Sequence, residues 1–374
     1  NESVRRTNKG FLMPDRRRRS PASSGGYLPC IHCKSYYKRS ILWLHAKNCH
    51  LRGDKASRQI INQANMLLNE KIENFNKVFV KEIVSKMTGD EISQIVQHDE
   101  LILQFGEMLY HQNPQSHLRS YIRQRMRQCG RILALAREGN DEITSMNELL
   151  RPENFDFAVE CVKKLSGFNE QKHEFEVTSL PLKMGHNFKR LCEFKKSTAL
   201  KVKNEEEKNE ASAFIELIDS DWKYKITRGA LRTMSEKRFN KPDQIPLAKD
   251  VAKLNKHLNE AIETCTNDLK CGKKESYRKL ASVTLTSLIL FNRRRAGEAQ
   301  RIMIETYRKG MKAERICPEA ELLLSPFEQN ILKNLKRIEM RGKKGRKVPV
   351  LLRRVHIEAI EILIDFRKDA GTCL

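Results

Sequence analysis

Residues 284–307 read TLTSLILFNRRRAGEAQRIMIETY, and this stretch decides the fold of the last third of the chain. Its segment 285–291 is apolar almost without interruption, long enough for a buried helix and too short to cross a bilayer. Three arginines follow at once, ending with Arg295, and Glu298 comes three positions later. A guanidinium group grips a phosphate with two parallel hydrogen bonds and stays charged at any working pH. We therefore expect a buried helix with a phosphate-binding end; solvated arginines at an ordinary helix end are the alternative.

A second stretch, residues 341–352, reads RGKKGRKVPVLL. A basic, glycine-containing turn that runs into a β-branched segment predicts a β-hairpin. We expect a helix over 326–339 before it and another helix after it. Between residues 333 and 354 there are ten basic residues and one acid, Glu339.

These two stretches in this order resemble the catalytic domain of the tyrosine recombinases, the phage-integrase family. The resemblance is strongest to the eukaryotic forms carried by Crypton-like DNA transposons, and it covers roughly residues 243–374. In that family the arginine of an Arg-x-Gly-Glu box binds the scissile phosphate, which implies this role for Arg295, with Glu298 as the acid of the motif. A hairpin lysine is the general acid for the leaving 5′ oxygen, which implies Lys343, or Lys344 if the turn is shifted by one. The resemblance also implies DNA-backbone contacts from the hairpin residues Lys344, Arg346 and Lys347.

The chain departs from the family after the hairpin. The family uses a later His-x-x-Arg motif, a further His or Trp, and a nucleophilic tyrosine. Here the last tyrosine is Tyr307, only 12 positions after Arg295, and the third residue after His356 is Ala359. A covalent phosphotyrosyl intermediate requires the nucleophile, so we expect no recombinase activity from the chain as it stands.

Residues 27–50 carry the spacing of a zinc site. Cys30-x2-Cys33 forms a knuckle, and His45-x3-Cys49 places two ligands one helical turn apart on one face. A closed four-ligand site of this kind has a structural role. The stretch resembles a C2H2-type zinc finger of the CCHC variant. One finger reads only about three base pairs, so protein contact is the competing role.

Other residues of this stretch complete the prediction. His50 is an alternative fourth ligand, and His32, inside the knuckle, is a weaker candidate. We expect a small core from three side chains, Tyr37, Leu42 and Trp43.

Residues 55–240 show helical periodicity and resemble, in position and helical character only, the core-binding domain that clamps DNA in recombinases. A capping box is expected at 88–91, TGDE. Residues 117–138 form the most basic helix, with one arginine every fourth residue: Arg119, Arg123, Arg127 and Arg131. Like charges at this spacing repel, so this arginine ridge suits a helix lying against DNA phosphates. An exposed face balanced by acids elsewhere in the fold is the alternative.

The formal net charge is +24, which predicts attraction to polyanions. Release of counterions would drive binding to nucleic acid, and we expect double-stranded DNA as the partner; a membrane surface or an acidic protein could use the same field. No apolar run is long enough for a membrane span, and we expect no membrane association. The 10 cysteines are unevenly spaced and do not form a disulfide pattern, which indicates a reducing compartment. Residues 1–26 predict a disordered basic tail, and the arginines at 16–19 could serve as a nuclear-import signal or be a plain solvated run.

The sequence therefore predicts a mainly α-helical protein: a basic tail at 1–26, a zinc finger at 27–50, a helical DNA clamp at 55–240 and a partial α+β recombinase domain at 243–374. Because the chain begins with Asn1 and stops at Leu374 inside a predicted helix, we expect a fragment. The expected function is nuclear DNA binding by an incomplete tyrosine recombinase, with self-association because the family works as tetramers. The alternative is a domesticated zinc-finger regulator that binds DNA or protein.

Overall fold

The computed structural model describes residues 26–52, 59–242, 245–312, 324–342 and 346–371. It is mainly helical, as predicted, with three short two-stranded sheets in this part of the chain. Two compact units divide the molecule, Asn1–Pro242 and Asp243–Leu374. No helix among the described residues is both long and apolar enough to cross a membrane. The predicted tail up to residue 25, its arginines and the hairpin lysines Lys343 and Lys344 lie outside the described residues.

The first unit begins with the finger, residues 26–52. Its elements are β1 (Tyr27–Pro29), β2 (Tyr36–Lys38) and α1 (Leu42–Asn48). The strands pair antiparallel, with Leu28 opposite Tyr37. Apolar side chains of β1 and α1 pack against Ala64 of α2 (Ile60–Met66). The finger therefore shares a small core with the next helix.

A helical body completes the first unit. Its helices are α3 (Lys77–Glu82), α4 (Glu91–His98), α5 (Glu100–Gln112), α6 (Arg119–Gly139), α7 (Met146–Leu149), α8 (Phe155–Leu165), α9 (Ser179–Val202), α10 (Glu205–Ser220) and α11 (Arg228–Phe239). Short 3-10 turns lie at Glu70–Asn74, Val84–Lys86, Ser116–Leu118 and Pro152–Asn154, a π-helical turn at Lys223–Thr227, and a small hairpin at β3 (Phe168–Asn169) and β4 (Glu174–Phe175).

Helix α6 runs through the core of this body. Its buried side chains recur at intervals of three or four residues: Ile122, Met126, Cys129, Leu133 and Ala136. This spacing places them on one face, which packs against α4, α5 and α8. The arginine ridge flanks this face: Arg119, Arg123 and Arg127 are half-buried, and Arg131 is exposed.

The cap of α4 differs from the predicted capping box. The N-cap is Asp90 and not Thr88, because the Asp90 carboxylate accepts a hydrogen bond from the Ser93 backbone nitrogen at 3.0 Å. Aspartate satisfies the free N–H groups of a helix start as well as threonine does.

The second unit contains α12 (Ala248–Lys270), α13 (Ser276–Asn292), α14 (Ala296–Gln300), α15 (Ile304–Lys312), α16 (Pro326–Asn334), β5 (Leu335–Arg341), β6 (Lys347–Arg353) and α17 (Arg354–Asp365). Helices α12 and α13 pack together, and α17 packs on both. Apolar residues of the hairpin form a second small core with Leu288 of α13 and Tyr307 of α15.

Two expectations for this unit are corrected. The helix predicted over 326–339 ends at Asn334, and a strand begins at Leu335. Buried Ile338 and Met340 alternate with exposed neighbours and face the buried face of β6, a period that only a strand provides. Helix α13 is buried on one side only, because Thr284, Ser287 and Leu288 are buried while Phe291 is exposed.

Candidate functional site

Four side chains of the finger converge on one point. The ligand atoms of Cys30, Cys33, His45 and Cys49 all lie within 4.8 Å of one another. The Sγ atom of Cys33 is 3.3 Å from Nε2 of His45. In a tetrahedral zinc site with sulfur at about 2.3 Å, neighbouring ligand atoms are about 3.8 Å apart. Three thiols and one imidazole at this spacing can hold a metal ion, so the predicted cluster is confirmed.

Backbone geometry holds the first two ligands in place. Between β1 and β2 the chain turns sharply, with hydrogen bonds from the Lys34 nitrogen to the Cys30 carbonyl at 2.9 Å and from the Cys30 nitrogen to the Ser35 carbonyl at 2.8 Å. Lys34 takes a left-handed conformation, with φ of 63°, which closes the turn. The ring of Tyr37 stacks on His45, with centroids 3.7 Å apart, and so restricts the orientation of the imidazole.

The protonation of the ligands suits a metal. Burial raises the pKa of the Cys33 thiol, but hydrogen bonds from Ser35 and from the neighbouring thiols outweigh it, and the net shift is downward. Burial, with the charges of His50 and His32, lowers the pKa of His45. By contrast, burial raises the pKa of Cys30. Metals bind the thiolate and the neutral imidazole, and the shifts at Cys33 and His45 favour those forms.

The predicted core of the finger is partly wrong. Leu42 is fully buried and Tyr37 packs against the core, but Trp43 is 56% exposed. Ile41 and Leu44 are also exposed, and the three side chains lie on the side of α1 opposite its buried Leu42 and Ala46. Apolar residues occur on both sides of the short helix α1. The sequence therefore does not show which of them face the small core of the finger.

Two arginines of the ridge have partners within the fold. Arg119 forms an ion pair with Glu82 at 2.7 Å and lies over the ring of Tyr110. Arg127 binds both carboxylate oxygens of Asp90, at 2.7 and 2.5 Å. The hydrogen bond from Arg127 is the main cause that lowers the pKa of Asp90 to about 2. The acids that balance these charges precede α6 by tens of residues, so the sequence alone did not pair them.

The other two arginines of the ridge have no carboxylate partner in the described part of the fold. Arg123 donates to the backbone carbonyl of Glu82 at 3.1 Å, and burial lowers its pKa. Arg131 is exposed. Both line a surface cavity of about 260 Å³.

In the second unit, Arg295 is the N-cap residue of α14 and its side chain is 75% exposed. Its guanidinium lies 3.5 Å from the carboxylate of Glu298, which is buried. The two residues of the motif are thus adjacent, with the acid as support and the arginine directed to solvent.

The end of α13 is attached to the hairpin. The Asn292 side chain accepts from the Leu351 nitrogen at 2.8 Å and donates to the Leu351 carbonyl at 2.9 Å. Asn292 precedes Arg295 by three positions, so these two bonds fix the start of the arginine box against β6. Sequence reasoning missed Asn292; an asparagine between an apolar run and arginines gives no signal that it docks on a strand. On the hairpin, Arg346 and Lys347 are exposed, and Lys347 lies 3.5 Å from Glu339.

Tyr307 is buried, and its hydroxyl donates to Glu361 at 2.7 Å. Burial and the Glu361 carboxylate raise its pKa well above the usual value. A buried phenol of raised pKa is out of reach of a DNA phosphate, which makes Tyr307 a poor candidate for a nucleophile.

A buried polar group that sequence reasoning missed lies behind the box. The Nδ1 atom of His356 is 3.3 Å from the Arg353 backbone nitrogen, which can only donate. Its Nε2 atom lies 2.9 Å from Ser287 Oγ and 3.2 Å from the guanidinium of Arg353, which also can only donate. Burial and the charge of Arg353 lower the pKa of His356 to about 4. This group connects α13 to α17.

The chain matches no protein-family model, no curated protein and no solved structure.

Proposed function

We propose that the chain is a DNA-binding protein whose second unit is built like a tyrosine-recombinase catalytic domain. One observation carries the proposal: an exposed Arg295, supported by the buried acid of its own motif, stands beside a basic hairpin to which Asn292 attaches it. The net charge of +24 supports the same partner, since such a chain attracts polyanions.

Within this proposal Arg295 binds a non-bridging phosphate oxygen and would stabilise charge on the phosphorane in an intact relative. Lys343, or Lys344, would protonate the leaving oxygen, while Arg346 and Lys347 contact the backbone. Tyr307 is not the nucleophile, because its side chain is buried and cannot reach a phosphate. The activity proposed for this chain is thus DNA binding in the nucleus, with self-association on paired sites.

We further propose that the metal held by Cys30, Cys33, His45 and Cys49 is zinc. Three sulfur ligands and one imidazole in a closed arrangement are typical of structural zinc. When bound, the ion would tie the knuckle to α1, so that the finger keeps its position on α2.

The DNA proposal is tested by fluorescence anisotropy of a labelled duplex at increasing salt. Arg295→Ala should weaken binding about tenfold and reduce the salt slope by about one counterion. Arg294→Ala is the matched control, because Arg294 is also exposed and its loss removes the same charge from the neighbouring position. Equal, small effects of the two substitutions would reject a phosphate site at Arg295.

A second candidate function is supported by the outer face of the finger, the exposed Ile41, Trp43 and Leu44. A finger that reads DNA directs helix residues toward base edges, whereas this helix presents apolar side chains. Residues 26–52 contain five lysines and arginines and no acid. The complementary partner is therefore an acidic amphipathic protein segment.

The emission of Trp43 separates the two candidates. It is obtained as the difference between the parent protein and Trp43→Phe, titrated with an acidic Leu/Glu helical peptide or with duplex DNA. A blue shift with the peptide alone favours protein recognition, since the indole then leaves water. A response to DNA alone assigns the finger to DNA.

A further inference from the structure

The ridge side of α6 contains a cavity that neither the recombinase motifs nor the metal cluster explains. Its volume is about 260 Å³, smaller than the pockets of drug-sized ligands. Helix α6 forms one wall through Ser120, Arg123, Arg127 and Arg131; residues 86–88 form the other through Lys86 and Thr88. We call this the phosphate pocket.

The charges around the pocket do not cancel. Arg127 is neutralised by Asp90. For Lys86, Arg123 and Arg131, no carboxylate of the described residues lies within 4.0 Å. Three uncompensated cations around one small cavity repel each other, and a bound anion would relieve that cost.

The fold holds one of these cations in place without neutralising it. The hydrogen bond from Arg123 to the Glu82 carbonyl uses one N–H group of a half-buried guanidinium, which leaves other donors of its fork free. The bidentate Asp90–Arg127 pair joins the start of α4 to the middle of α6. It thereby fixes the helix that forms one wall of the pocket.

We propose that the phosphate pocket binds a phosphate group through Lys86, Arg123 and Arg131, with the hydroxyls of Thr88 and Ser120 as further donors. In the protein's proposed function this is one phosphodiester of the DNA backbone, so the inference rests on that function and assigns it a contact in the first unit. Arg119 and Arg127, which are paired with acids, position the helix and do not contact the phosphate.

The test compares two double variants that each remove two positive charges. The pocket variant, Lys86→Ala/Arg131→Ala, removes two exposed cations from the pocket. The control variant, Lys196→Ala/Lys201→Ala, removes two cations of α9, neither of which pairs with an acid in the described structure. The affinity of the pocket variant for duplex DNA should fall about tenfold, and the slope of log affinity against log salt concentration should decrease by about one unit. In the control variant both changes should be less than half as large. Equal losses from the two variants overturn the pocket while leaving DNA binding intact.

A second titration separates failure of the pocket from failure of the DNA proposal. Pyrophosphate is titrated by calorimetry at low salt into the parent protein and into the pocket variant. If the parent protein does not bind duplex DNA but binds pyrophosphate, and the variant does not, the pocket stands and its ligand is a free phosphate compound. If the parent protein binds neither probe, the pocket is overturned together with the function on which it rests.

Discussion

Asp90 shows how one acid changes the interpretation of a basic helix. It caps α4 and binds Arg127 at two points, so an arginine that the sequence assigns to DNA has a structural partner. The spacing of the ridge was readable from the sequence, whereas its balancing acids were not, because a contact between residues 37 positions apart depends on how α4 and α6 pack. Substitutions of Arg119 and Arg127, which pair with Glu82 and Asp90, therefore report on folding before they report on DNA binding.

The Asp90–Arg127 pair gives a prediction for stability. Asp90→Asn keeps a good cap but loses the ion pair, and should destabilise the first unit by about 1 kcal/mol at pH 7 after allowance for solvent screening. Asp90→Ala loses both the cap and the ion pair and should lower the free energy of unfolding by about 2 kcal/mol. Urea unfolding is followed by the fluorescence of buried Trp222 in a Trp43→Phe background.

The pH dependence of this pair follows from its pKa. The folded pKa of Asp90 is about 2, below the value of about 3.9 for an unfolded aspartate. The stabilisation is therefore complete above about pH 4 and is lost as pH falls toward 2. The difference between the parent protein and Asp90→Asn should shrink between pH 7 and pH 3; a constant difference would contradict the ion-pair account.

His356 gives the second residue-level prediction. Its folded pKa of about 4 lies below the unfolded value of about 6.5, so the folded state binds fewer protons between these values. The contribution of His356 to the stability of the second unit should thus be fully present above about pH 6.5. The free energy of unfolding should fall by about 3 kcal/mol on acidification to pH 4.

Hydrogen exchange of the α13 amides, corrected for the intrinsic rate, measures this loss at pH 7 and at pH 4. In His356→Gln the dependence on pH should be much weaker, because glutamine can occupy the site without titrating. Equal loss of protection in both proteins would show that another group is responsible.

At the scale of elements, sequence pattern succeeded where one local rule decides the structure. Spacing alone brought the four metal ligands together, and a glycine-containing basic turn marked the hairpin. It failed at β5, where the residues LKRIEMR favour a helix by propensity, and the pairing of Ile338 with Val350 overrides that preference. It also failed at Trp43, since composition does not show which side of a short helix meets the core.

The finger provides the element-scale prediction. Cys49→Ser should abolish zinc binding and unfold residues 27–50, because the small core is insufficient without the metal. His50→Ala should retain one zinc per chain, because the fourth ligand is His45 and not the alternative His50. Zinc content by mass spectrometry and the absorption of the cobalt-substituted protein measure both variants. Loss of zinc in His50→Ala with retention in His45→Ala would contradict the proposed ligand set.

At the scale of the whole molecule, the central claim is that one strongly basic chain uses both of its units to hold duplex DNA. The first unit offers the phosphate pocket, and the second offers Arg295 beside the hairpin. In this proposal the net charge of +24 attracts DNA to the protein, and the positioned side chains of each unit determine how the duplex binds.

The most direct measurement of this claim is hydrogen exchange by mass spectrometry on the full chain, with and without a duplex long enough to reach both units. The account predicts DNA-dependent protection in two places, around 84–88 and 119–131 in the first unit and around 292–301 and 346–353 in the second. Protection confined to the finger would contradict the claim and assign DNA binding to the finger alone. No protection at physiological salt would also contradict it and would favour the finger's role in protein recognition.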